Sequence, residues 1–172
     1  TTSSAGLSHT EIEKPPSEGK GDVSLYLAAG GALDEAALAG SVGLRWQWSQ
    51  DFTLGLDVEL NPWISLDAGR VSPGTLNTYA TLVYRWWSIG DVDLRLTAHA
   101  GLSVLLFDLV GADAGAVGPY LGLSLLGVSL RVTDHLVLVL DPADLALPIP
   151  NLSGVPFYRR QYRVTIGLQW SP

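Results

Sequence analysis

The chain has 172 residues, no Cys, a formal net charge of −7, 47% hydrophobic residues and only 16% charged residues. This length suits one domain, and without Cys the chain has neither disulfides nor thiolate metal sites. The acidic balance argues against a nucleic-acid partner, which would need a basic face. No apolar run approaches the roughly 18 residues of a transmembrane helix, so the high apolar content is dispersed along the chain.

Residues 1–20 differ in composition from the rest of the chain. They are rich in Ser, Thr, Glu and Lys and contain the pair Pro15-Pro16, which predicts a disordered or extended tail. The sequence opens at Thr1 with neither Met nor an apolar leader, as expected if a signal peptide has been removed.

Lysine and glutamate are almost missing from residues 21–172. The chain's only lysines are Lys14 and Lys20, and Glu occurs in 21–172 only at Glu35 and Glu59. Soluble domains normally cover their surface with mixed Lys and Glu. The composition therefore predicts that most of this surface does not face water.

From residue 22 onward, apolar and polar side chains alternate with a period of two, which is typical of strands with one face of each kind. The clearest example is the run of apolar side chains at even positions from Tyr162 to Trp170. The pattern predicts eight strands, at about 22–30, 42–48, 52–61, 75–88, 92–103, 119–132, 136–147 and 158–170.

Two of these strands are irregular. The segment 119–132 changes parity near Leu125 and Leu126, which predicts a β-bulge. The segment 136–147 is the least regular, because Pro142 cannot donate a ladder hydrogen bond.

The connections alternate between short and long. Tight turns are predicted at 49–51, 90–91 and 133–134, and longer loops near 31–40, 66–74, 109–118 and 148–156. Eight strands joined in this way place both termini on the short-turn side. Short turns on one side and long loops on the other are typical of bacterial outer-membrane barrels.

Aromatic residues gather near the predicted strand ends, as expected of amphipathic rings at two membrane interfaces. The sequence predicts one girdle near the short turns and one near the long loops. The members are Trp46, Trp48, Phe52, Trp86 and Trp170 for the first, and Trp63, Phe107, Tyr120 and Tyr158 for the second.

In these features, residues 21–170 resemble the small eight-stranded outer-membrane proteins of the OmpA/OmpX/OmpW-like barrel family. The closing alternation from Tyr162 to Trp170 is similar to the C-terminal assembly signal of such proteins, although Ser171 and Pro172 follow it. The resemblance implies an all-β fold, a closed antiparallel up-and-down transmembrane barrel of about eight strands in a bacterial outer membrane. It also implies a periplasmic tail at 1–20, a barrel domain at 21–172, and contact with lipid and lipopolysaccharide. A soluble barrel with an apolar interior is the alternative, and the scarcity of Lys and Glu counts against it.

The polar strand faces predict a charge network in the lumen. In a narrow barrel such charges must pair, because an unpaired buried ion is costly, and bidentate pairs would block the passage. A gated ion path is the alternative. The predicted members are Arg45, Asp57, Glu59, Arg85, Asp93, Arg95, His99, Arg131, Asp141, Arg159 and Arg163.

Enzymatic chemistry has weak support in the sequence. His99 and Ser103 lie about 13 Å apart along one strand at ~3.3 Å per residue, too far for a nucleophile pair. Ser124 or Ser129 on a neighbouring strand could approach His99 more closely, but Gly-x-Ser-x-Gly and His-Glu-x-x-His motifs are missing. We therefore expect no catalytic residue, cofactor or metal, with a lipid A-modifying enzyme as a third alternative.

Two features near the outer rim could serve partners. Arg160, on the apolar face, could meet a lipopolysaccharide phosphate or extend to water. Residues 141–151 contain three prolines in an apolar stretch, which predicts a rigid loop that contacts a protein partner or shields the barrel mouth. The expected function is a non-enzymatic structural or scaffold protein, or a subunit of an outer-membrane or periplasmic assembly. The alternative is a narrow, porin-like pore for small solutes or ions.

Overall fold

The computed structural model describes residues 21–33, 36–65, 70–106, 117–152, 155–156 and 158–172. The predicted tail 1–20 and the predicted girdle residue Phe107 lie outside these ranges. Within them, no helix is long and apolar enough to cross a membrane. The strands are β1 Val23–Ala32, β2 Leu38–Gln47, β3 Phe52–Ser65, β4 Arg70–Ile89, β5 Val92–Leu105, β6 Val117–Thr133, β7 Leu136–Pro148, β8 Asn151–Leu152, β9 Val155–Pro156 and β10 Gln161–Trp170.

Eight of these strands form a closed antiparallel barrel. Sequence neighbours pair from β1 to β7, and β10 pairs with both β7 and β1. The closing pair runs from Leu25↔Trp170 to Ala32↔Arg163. Closure leaves the described part of the barrel without an unpaired sheet edge. The start of β1 and the end of β10 lie side by side at the end of the barrel that carries the short turns. The predicted fold class and strand number are confirmed.

All four predicted loops contain strand residues, and two of them show this most clearly. Pairing between β3 and β4 continues to Ile64↔Val71 and Ser65↔Arg70, so part of the predicted loop 66–74 is strand. In the connection between β7 and β10, β8 and β9 form a separate two-stranded sheet.

Both irregular strands contain bulges at the same height of the wall. In β6, Leu125 and Leu126 lie opposite the single residue Leu96, which confirms the predicted bulge. In β7, Pro142 and Ala143 lie opposite the single residue Val164 of β10 and form a second bulge. Pro142 has no backbone N–H to donate, and it lies in the bulge, where the regular ladder of hydrogen bonds is interrupted. The bulge changes the parity of β7.

The two faces of the wall differ in polarity. Outside, Leu, Val, Ile and Trp side chains are exposed, as at Leu56 and Ile166. Inside, polar side chains such as Asn61 and Gln161 are completely buried. This distribution is the reverse of a soluble barrel, which buries its apolar face and presents its polar face to water.

The aromatic residues form a belt at the short-turn end. Exposed rings there are Trp46, Trp48, Phe52, Tyr84, Trp86, Trp87 and Trp170. At the other end Tyr158 is 70% exposed.

The assignment of Trp63 and Tyr120 to the outer girdle is wrong, because these side chains are only 6% and 0% exposed and point into the barrel. Trp63 lies at an odd position of β3, as do the inward-facing polar residues Asp57 and Asn61. On β6, Tyr120 shares the inward face with Gly118 and Gly122, where an added Cβ would meet the Ile149 backbone and the His99 side chain.

Candidate functional site in the lumen

The centre of the lumen is filled by a cluster around Arg163 of β10. Its Nη1 donates to Glu59 Oε1 at 2.9 Å, and its Nη2 lies 2.7 Å from Asp144 Oδ2 and 3.0 Å from Tyr120 Oη. Glu59 also accepts a hydrogen bond from Tyr79 Oη at 3.0 Å. The rings of Tyr79 and Tyr120 stack with their centroids 4.6 Å apart. We call these five side chains the central cluster.

A second ion pair lies beside it. Arg45 Nη1 donates to both carboxylate oxygens of Asp57 at 2.9 Å, and its guanidinium stacks 4.1 Å above the ring of Tyr26. Thr81 Oγ1 donates to Asp57 Oδ2 and lies 3.0 Å from His99 Nδ1. His99 therefore belongs to a packed hydrogen-bond chain.

The third buried pair joins β5 to β7. Arg95 Nη2 donates to Asp141 Oδ2 at 2.6 Å, and Ser124 Oγ donates to Asp141 Oδ1 at 3.0 Å. Gly127 faces this pair, and a Cβ there would collide with the Asp141 carboxylate and the Arg95 side chain. Glycine at this position lets the ion pair cross the lumen close to the wall.

Amide and apolar layers close the long-loop end. The amides of Asn61 and Gln161 exchange two hydrogen bonds of 2.8 and 3.1 Å across the barrel. Trp63 donates to Asn61 Oδ1 at 2.9 Å and packs with Leu105 and Ala37. The Arg159 guanidinium stacks 4.0 Å above the Trp63 ring, so the mouth is covered.

The short-turn end is more open. Arg85 and Asp93 form a partly exposed pair at 3.5 Å. They line a cavity of about 50 Å³, which we call the vestibule, together with Gln47, Gln50, Asp51 and Arg131.

The structure therefore distributes the predicted charge network over three levels. Seven of its members lie together in the middle of the lumen: Arg45, Asp57, Glu59, Arg95, His99, Asp141 and Arg163. Arg85, Asp93 and Arg131 line the vestibule, and Arg159 covers the opposite mouth.

Sequence reasoning missed several lumen residues. Asp144, which lay in the predicted rigid loop 141–151, pairs with Arg163. The parity change at the β7 bulge concealed it. Tyr79 and Asn77, both hydrogen-bonded to Glu59, could have been found because they share the parity of Thr81 on β4.

The arrangement offers little for nucleophilic chemistry. Ser124 donates to Asp141, and its backbone lies opposite Thr97, not His99. The His99 ring packs edge-on against Tyr79 with centroids 4.9 Å apart. Among the described residues, no group of three His, Cys, Asp or Glu side chains could hold a metal ion.

Comparisons with known proteins show the fold. No family model matches the chain, and no curated protein matches it. Neisserial surface protein A is 17% identical, with a TM-score of 0.62 over 88% of this chain and 95% of that one. The N-terminal β-barrel domain of Pseudomonas aeruginosa OprF is 10% identical, with a TM-score of 0.63 over 90% of this chain and 100% of that one. The chain has the fold of the small eight-stranded β-barrels of the bacterial outer membrane.

Proposed function

We propose that this barrel lies in the outer membrane with its short-turn end in the periplasm, and that it is a non-enzymatic structural protein with a closed lumen. On this proposal it acts as a scaffold or as a subunit of an outer-membrane assembly. The observation that carries the proposal is the central cluster, in which Arg163 bridges Glu59, Asp144 and Tyr120 across the barrel.

The membrane location is supported by the polarity of the wall. Lipid offers no hydrogen bonds to a backbone, so strands cross it only in a closed barrel such as this one. The outward Leu, Val and Ile side chains suit hydrocarbon, and the aromatic belt suits one interface.

The closed lumen is supported by the cost of opening it. Passage would require separating buried ion pairs such as Arg163–Glu59 and Arg45–Asp57, and an uncompensated buried charge costs several kcal/mol. The Asn61–Gln161 amides and the Trp63 layer would have to move as well.

Two surfaces at the long-loop end suit partners. Arg160 is exposed beside Tyr162, with its guanidinium 5.2 Å from the ring, and could meet a lipopolysaccharide phosphate. Val155, Pro156 and Tyr158 are exposed in the connection between β7 and β10, and this exposed apolar surface suits a protein partner. The predicted partner loop 141–151 does not supply such a surface, because residues 141–148 belong to β7 and Pro148, Ile149 and Pro150 are buried.

Conductance of the refolded chain in planar bilayers, measured beside its gel mobility with and without boiling, tests the proposal. We expect a compact band that shifts on boiling and no discrete current steps, with a wide aqueous porin as the positive control. Discrete steps from the wild-type chain would overturn the closed lumen and favour a narrow pore. A chain that stays soluble without detergent and gives no mobility shift would overturn the membrane location.

A further inference from the structure

The lumen contains two cavities in series. The vestibule holds about 50 Å³ at the short-turn end, and a central cavity of about 30 Å³ lies beyond it. The central cavity is lined by four members of the central cluster, all except Tyr120, and by Thr97 and Thr165 among other residues. Arg95 and Val83 line both cavities, so these two side chains form the partition between them.

Four buried polar atoms that belong to residues lining the central cavity have no hydrogen-bond partner among the described residues. They are Arg95 Nε, Thr97 Oγ1, Asp144 Oδ1 and Thr165 Oγ1. A buried polar atom without a partner is destabilising, because it has lost the hydrogen bonds that it makes to water in the unfolded chain. A cavity holds water when it offers roughly 10–15 Å³ of free space and two to four polar partners. The central cavity meets both conditions.

The charges around this cavity are balanced, because three arginines and three carboxylates line it and the fourth buried carboxylate, Asp57, does not. A balanced lining does not favour an ion of either sign over water. Water can accept a hydrogen bond from Arg95 Nε and donate to Asp144 Oδ1 and to the threonine hydroxyl oxygens, so it suits all four atoms.

Access to the cavity differs between its two sides. Toward the long-loop end lie the stacked Tyr79 and Tyr120, the Asn61–Gln161 amide pair and the Trp63 layer. Toward the vestibule lies the Arg95 side chain, held by one ion pair to Asp141.

We propose that the central cavity is a hydrated site whose water exchanges with the periplasm past Arg95. The site is sealed toward the outside. This inference rests on the closed lumen proposed above and adds that the closure is one-sided.

The cysteine-free chain allows a direct test with Ag⁺, a small monovalent cation that reacts with thiols. Thr97→Cys and Ser103→Cys form a matched pair, because both positions lie on the inward face of β5, are 3% and 0% exposed, and carry an unpartnered hydroxyl. Thr97 lines the central cavity, whereas Ser103 lies beyond the tyrosines. Ser129→Cys in the vestibule is the positive control.

Each variant is refolded in detergent micelles, checked for heat-modifiable mobility, exposed to Ag⁺, and then unfolded for maleimide labelling of the remaining thiol. We expect Thr97→Cys to react at least about tenfold faster than Ser103→Cys, since thiol reactivity follows access. Adding Arg95→Ala should accelerate the reaction at position 97 and leave position 103 unchanged. Thr165→Cys, on β10, repeats the test if Thr97→Cys does not fold.

The outcomes separate the two proposals. If positions 97 and 165 react as slowly as 103, while 129 reacts, the hydrated site is overturned and the closed lumen stands. If position 103 reacts as fast as 97, the lumen is open toward the outside and the closed lumen itself is overturned.

Discussion

At the scale of single residues, Arg163 connects more of the barrel than any one ladder pair does. It lies on β10 and contacts Glu59 of β3, Tyr120 of β6 and Asp144 of β7. Its side chain is buried away from water, so its contribution to the stability of the barrel depends on having every one of these partners in place. Removing one member of such a cluster leaves the remaining charges buried and uncompensated.

Arg163→Ala should therefore lower the free energy of unfolding by about 3–5 kcal/mol, the range for breaking a buried ion pair. Urea unfolding in lipid vesicles, followed by tryptophan fluorescence, measures this change. Arg160→Ala is the matched control, because this arginine is exposed beside Tyr162 and its loss should cost less than about 1 kcal/mol. Equal small effects from both variants would contradict a stabilising role of the central cluster.

At the scale of strands, the bulges decide which side chains face the lumen. On β6, inward positions run through Tyr120 and Ser124 and continue at Gly127, because the bulge absorbs one residue. On β7, the bulge at Pro142 and Ala143 brings both Asp141 and Asp144 inward. Without it, one of these carboxylates would face lipid, since facing alternates strictly in a regular strand.

Deletion of Leu126 should be tolerated, because removing the extra residue restores regular alternation and leaves every lumen residue of β6 facing inward. Deletion of Leu123 shortens β6 by the same amount but would turn Ser124 toward lipid and Leu125 into the lumen. Heat-modifiable mobility after refolding should be retained by the first variant and lost by the second. If deletion of Leu126 abolishes folding as fully as deletion of Leu123, the bulge itself is needed for barrel geometry.

At the scale of the whole molecule, the tryptophans report on the two sides of the wall. Trp46, Trp48, Trp86, Trp87 and Trp170 are exposed in the belt at the short-turn end, and Trp63 lies inside. A ring at a membrane interface contacts lipid, whereas a ring in the lumen is shielded by the barrel.

Brominated lipids should therefore quench most of the tryptophan fluorescence of the refolded barrel. Trp63→Phe should raise the quenched fraction, because it removes the ring that lipid cannot reach. Trp170→Phe should lower that fraction, since it removes a half-exposed ring of the belt. If the two substitutions shift the fraction in the same direction, the assignment of these rings to opposite sides of the wall is wrong.

The fold class follows from the sequence alone, because lipid and a narrow lumen impose opposite polarity on successive residues, so that each strand alternates with a period of two. Most of the candidate charge network follows from the sequence too, since Arg45, Asp57 and Arg163 lie on polar faces. The alternation of the strands also places Trp63 and Tyr120 inside the barrel, which conflicts with the predicted position of these two rings in the outer girdle.

Which charges pair depends on the three-dimensional structure of the closed barrel. Glu59 and Arg163 are 104 positions apart in sequence and meet because strand tilt and the stagger of the closed barrel set their heights. The two bulges add offsets that alternation cannot locate to the residue, which is why Asp144 was missed. The division of the lumen into a vestibule, a central cavity and a sealed mouth depends on these heights, because Arg85, Arg163 and Trp63 lie at different distances along the barrel axis.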